Sequence, residues 1–68
     1  MMALRTKVLK YLEKKPTDFI TLSEDLDVYG DAIASELNNL LKAGYITKKN
    51  GILYLTNRGR EYLKVEES

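Results

Sequence analysis

The chain has 68 residues, no cysteine, no histidine and a formal net charge of +1. A chain this short folds as one domain with a small core, burying only about 60% of the surface exposed when unfolded. Without cysteine or histidine there is no disulfide, no thiolate nucleophile, no imidazole base and neither of the usual zinc ligands.

No apolar run is long enough to cross a bilayer. The start, Met1-Met2-Ala3-Leu4-Arg5, has no signal-peptide hydrophobic region, so a cytoplasmic location is expected. Neither an internal repeat nor a linker is visible, and the only proline is Pro16.

Residues 3–15 are expected to form a helix. Leu4, Val8, Tyr11 and Leu12 recur at one helical face, with Leu9 beside it and Lys7, Lys10, Lys14 and Lys15 on or near the other. Lys15-Pro16-Thr17-Asp18 stops it. Phe19-Ile20 is read as a short extended piece that adds a third strand. Thr21-Leu22-Ser23-Glu24 has the spacing of a capping box, so a short second helix is expected after Thr21, with Leu22 and Leu26 inward.

Gly30 punctuates the chain before a third helix, expected at 32–43 with Asp31 as its N-cap. Ile33, Leu37, Leu40 and Leu41 are its buried stripe, and Gly44 is a left-handed C-terminal residue. Residues 45–49 and 52–55 are strand-like, and Asn50-Gly51 between them is the signature of a type I′ hairpin. Thr56 caps a last helix, 57–65, with Tyr62, Leu63 and Val65 as its apolar positions. Gly59 within it suggests close packing against the hairpin, and Glu66-Glu67-Ser68 is expected to fray. Two helices joined by a short glycine-containing turn form a helix-turn-helix unit, and the fold class expected is α+β.

Three stretches carry a resemblance. They are Ile20-Thr21-Leu22-Ser23-Glu24-Asp25-Leu26, residues 33–46 ending in Ala43-Gly44-Tyr45-Ile46, and Tyr54-Leu55-Thr56-Asn57-Arg58-Gly59 with the four residues after it. Together they resemble winged helix-turn-helix regulators of the MarR, PadR and ArsR-like kind, including small archaeal members. The resemblance implies a three-helix core, a two-stranded β-hairpin wing and a C-terminal helix. It further implies a third helix in the major groove of duplex DNA and a wing tip, Lys48-Lys49-Asn50-Gly51, on the backbone or minor groove.

Within that frame, Ser35, Asn38, Asn39 and Lys42 are the groups expected to reach base edges, since Asn pairs bidentately with adenine and Lys reaches guanine or phosphate. Thr21 and Ser23, with helix N-terminal amides, are candidate phosphate ligands. Lys48, Lys49, Asn50 and Arg58 are candidate backbone contacts. Tyr11 and Tyr62 are candidates for the seam of a homodimer, which would match a palindromic site. No catalytic residues, metal or cofactor are expected: Glu24, Asp25 and Asp27 lack the spacing of a calcium loop.

The charge is unevenly distributed. Residues 16–41 hold Asp18, Glu24, Asp25, Asp27, Asp31 and Glu36 and no base, while the flanking segments are basic. DNA binding therefore requires Lys7, Lys10, Lys14, Lys42, Lys48, Lys49, Arg58 and Arg60 to form a cationic rim that outweighs these acids. The alternative is a protein-interaction module whose acidic helix-turn-helix face meets a basic partner.

Overall fold

The computed structural model describes residues 1–67. The order is α1 (Leu4–Lys14), β1 (Thr17–Asp18), α2 (Phe19–Leu26), α3 (Gly30–Ala43), β2 (Ile46–Lys49), β3 (Ile52–Leu55) and α4 (Asn57–Glu67). The described residues are thus α+β, with four helices and a three-stranded antiparallel sheet in the order β1-β3-β2.

One core joins all the helices to the sheet. Val8, Leu9 and Leu12 of α1 meet Leu22, Ile33, Leu37, Leu40, Leu63 and the inward residues Ile46, Leu53 and Leu55 of the hairpin. Leu9 is fully buried, although it lies beside the expected stripe, because α1 packs on α2, α3, α4 and β3 together. Val65, expected as apolar core of the last helix, is instead 75% exposed.

The hairpin turns at Asn50 (φ 51°) and Gly51 (φ 81°), the two positive φ values that a two-residue type I′ turn requires. Lys49 faces Ile52 across it, and Lys48 faces Leu53. The third strand is Thr17–Asp18, paired with Leu53 and Ile52, and not Phe19-Ile20.

Phe19 and Ile20 form the first turn of α2. The expected capping box at Thr21 and Glu24 is replaced by an earlier cap, Asp18. The Thr21 amide donates to Asp18 Oδ1 at 2.8 Å and the Thr21 hydroxyl to Asp18 Oδ2 at 3.0 Å. Asp18 ends an extended strand, so it already holds the non-helical backbone that an N-cap needs. These bonds hold its carboxyl below the usual carboxylate range, the backbone bond from Thr21 first among them.

α2 ends at Asp27 in the left-handed conformation (φ 56°, ψ 45°). Asp31 does not cap α3: Tyr29 is the N-cap residue, without a side-chain bond, and Asp31 lies in the first turn, where its charge suits the helix dipole. At the other end Gly44 (φ 80°) closes α3 as expected, with the Tyr45 amide returning to the Leu40 carbonyl at 3.0 Å.

Thr56 joins three elements. Its hydroxyl donates to the Gly44 carbonyl (2.6 Å) and accepts from the Gly59 amide (3.1 Å), while its own amide donates to Tyr45 O (3.1 Å). The packing anticipated at Gly59 is present: a Cβ there would lie 2.3 Å from Tyr45 O and 2.5 Å from Leu55 Cδ1. Glu66 and Glu67, expected to fray, are helical and tied to α1: Thr6 donates to Glu66, and Lys10 Nζ lies 2.8 Å from Glu67. Ser68 lies outside the described residues.

Candidate nucleic-acid interface

α3 is amphipathic, and its exposed side carries Asp31, Ser35, Asn38, Asn39 and Lys42. Among the described residues none of these side chains forms a hydrogen bond or ion pair. Glu36 belongs to another face. It turns toward α1, where Arg5 Nε lies 2.9 Å from its carboxylate; this bond, before any other influence, raises the guanidinium pKa.

An open groove of 470 Å³ runs between the start of α2, one flank of α3 and the hairpin. Ser35 and Asn38 line it from α3, and Lys48 lines it from β2. Strand geometry explains why Lys48 takes part and Lys49 does not. Successive side chains alternate between faces, so Lys48 lies on the same side as Ile46 and opposite Leu53. Lys49 falls on the other face, its ammonium 5.9 Å from the ring centre of Tyr54. The two lysines expected to act together therefore serve opposite sides of the sheet.

Arg58 begins α4 but reaches the C-terminal end of α3. Its guanidinium lies 5.4 Å from the Tyr45 ring centre, and its Cδ is near Gly44. A cation there complements the carbonyl end of α3, which offsets the unfavourable position at the start of α4. Lys42, in the last turn of α3, adds a second cation to that end.

Thr21 and Ser23 lose the role expected of them. Both hydroxyl protons are committed, Thr21's to Asp18 and Ser23's to the Val28 carbonyl, and Ser23 is buried. The Thr21 amide is also taken. The displaced start of α2 is the reason: Thr21 sits inside the first turn and not ahead of it. Asn50 is exposed at the hairpin turn, where its positive φ accounts for the residue type.

The expected cationic rim is divided. Lys42, Lys48 and Arg58 lie around α3, whereas Lys7, Lys10 and Lys14 line a separate depression on α1 with Met2, Tyr11 and Leu26. Lys10 is further engaged by Glu67, whose hydrogen bond is the first cause of its raised pKa. The acids are partly consumed as well. Asp18 caps α2, Glu36 meets Arg5 and Asp25 accepts from the Tyr11 hydroxyl, which raises the phenol pKa. Glu24, Asp27 and Asp31 remain exposed near the α2–α3 turn beside Tyr29.

Tyr11 and Tyr62, the candidate seam residues, are half-buried within the chain. Tyr62 packs on Tyr45 with ring centres 5.0 Å apart and directs its hydroxyl to Glu66.

Phe19, Ala34 and Leu41 also line the groove, beyond the residues expected from the sequence. Helical spacing carries a signal for two of them, since Ala34, Asn38 and Leu41 stand at i, i+4 and i+7 on one flank of α3. Among the described residues no set of acidic side chains converges to hold a metal ion, and no helix is long and apolar enough to cross a membrane. No family model matches this chain, and no curated protein compared with it matches either.

Proposed function

We propose that the chain is a winged helix-turn-helix module that binds duplex DNA as a small transcription regulator. In this reading α3 is the recognition helix and the β2–β3 hairpin is the wing. The observation that carries it is the groove lined by Ser35 and Asn38 of α3 and Lys48 of the hairpin, with Lys48 the only charged residue in its lining among the described residues. Hydroxyl, amide and ammonium groups left unengaged on one surface are the donors and acceptors that base edges and phosphates require. Removal of Glu36 to the α1 side by Arg5 leaves Asp31, among the described residues, as the only carboxylate on the exposed side of α3.

The test is an anisotropy titration of labelled duplex DNA with the chain at several salt concentrations. The expected result is a Kd of micromolar order or tighter in ~50 mM salt, weakening steeply as salt rises. Absence of binding under those conditions overturns the reading. A homodimer matching a two-fold-symmetric site belongs to the same proposal, and sedimentation checks it.

A second reading is favoured by one observation. Tyr29 is 59% exposed within the electrostatic reach of Asp27 and Glu24, an aromatic near carboxylates that suits a basic protein partner. Binding of a basic peptide that is lost on Asp27→Asn and retained on Lys48→Ala would support that reading over the first.

A further inference from the structure

The groove beside α3 has two kinds of surface. Its floor is apolar, formed by the buried side chains of Leu37 and Leu53. Above these, Phe19 is 43% exposed at the start of α2, and Ala34 and Leu41 line the α3 flank. The remaining lining is Ser35, Asn38 and Lys48. Among the described residues no carboxylate lines it, so a polyanion can approach without opposition from the groove lining.

We propose that this groove is a thymine-reading subsite of the interface, with Phe19 and Ala34 meeting the C5 methyl and Asn38 taking an adjacent adenine; the inference rests on the duplex-DNA reading above. Of the four bases, thymine alone offers a methyl group in the major groove. An alanine methyl or a phenyl ring is the complementary surface, and an asparagine amide matches adenine N6 and N7. Ala34 and Asn38 are one helical turn apart on α3, so both reach neighbouring base pairs along one groove. Lys48, on the opposite wall, supplies a cation for the phosphate that flanks those bases. The apolar residues of the groove thereby acquire a role in sequence choice, and the site selected is rich in A·T pairs.

The experiment compares two pools of short random duplexes that are identical except that deoxyuridine replaces thymidine in one. Deoxyuridine pairs as thymidine does and lacks only the methyl. The chain is expected to bind the thymidine pool about 3- to 10-fold more tightly, the factor that burial of about one methyl group provides. Phe19→Ala should shrink that ratio toward one. Circular dichroism of the variant should match the parent, since the ring is partly exposed. Equal, salt-dependent binding of both pools by the parent chain overturns the thymine subsite and leaves DNA binding standing. Binding of neither pool overturns both. An undiminished preference in Phe19→Ala, with the variant folded, places the methyl elsewhere and overturns the assignment.

Discussion

The two sides of this small molecule use their polar groups differently. On the side where α1 meets α4 and the inner flank of α3, side chains are engaged with one another: Arg5 with Glu36, Thr6 and Tyr62 with Glu66, and Lys10 with Glu67. On the side formed by α3 and the hairpin, Ser35, Asn38, Asn39, Lys42 and Lys48 make no such contacts among the described residues. Engaged groups hold helices in register and have little left to offer a ligand. Unengaged groups around an open groove contribute little to folding and remain available for recognition. Sequence charge alone does not separate these roles, because lysines and carboxylates occur on both sides.

Variants can break that contrast. The largest effect is expected at Gly59, where α4 crosses the hairpin. Gly59→Ala places a methyl against the Tyr45 carbonyl, a backbone group that cannot turn aside, and should cost about 1–3 kcal/mol or more in urea unfolding. Next is Asn38→Ala. It should cost about 1–3 kcal/mol of affinity at a preferred duplex site while the melting temperature does not fall, since alanine is the better helix former at an exposed position. A matching fall in stability would show that Asn38 is structural and the contrast false.

Smaller effects sharpen the account. Glu36→Gln should reduce stability by roughly 0.5–1 kcal/mol, since the Arg5 pair is only partly shielded from water. Lys48→Ala should flatten the salt dependence of DNA binding by ~1 in slope, with a lesser change for Lys49→Ala on the outer face of the sheet.

The Asp18 cap gives a pH signature. Its carboxyl pKa is lowered in the folded chain, so its stabilisation is fully present above the unfolded value of about 3.9 and is lost as pH falls through the folded value. The melting temperature of the parent should drop over that acid range. Asp18→Asn keeps an amide oxygen for the Thr21 amide and should show a shallower drop.

Most of the fold was legible in the sequence. Ile33, Leu37 and Leu40 of the α3 stripe, the Asn50-Gly51 turn, the Gly44 stop and the tight site at Gly59 follow from local chemistry with few alternatives, whereas Leu41, expected in that stripe, is only partly buried and lines the groove. The start of α2 was not legible, because two overlapping cap signals compete. Asp18-Phe19-Ile20-Thr21 prevails over Thr21-Leu22-Ser23-Glu24 once β1 pairs with β3 and fixes Asp18 in extended backbone, a tertiary effect. That shift moved Thr21 and Ser23 out of the candidate site and brought Phe19 into it. The separation of Lys48 from Lys49 required knowing which hairpin face meets the core. The pairing of Arg5 with Glu36 joins residues far apart in the chain and leaves no local trace.

The most direct measurement is nuclear magnetic resonance of the ¹⁵N-labelled chain titrated with short duplex DNA. The amide shifts should move at Ser35, Asn38, Lys42 and Lys48, while those of α1 and the outer face of α4 hold still. Shifts gathered on α1 and α4, or none at all, would contradict the division of the molecule into an engaged side and a receptive one.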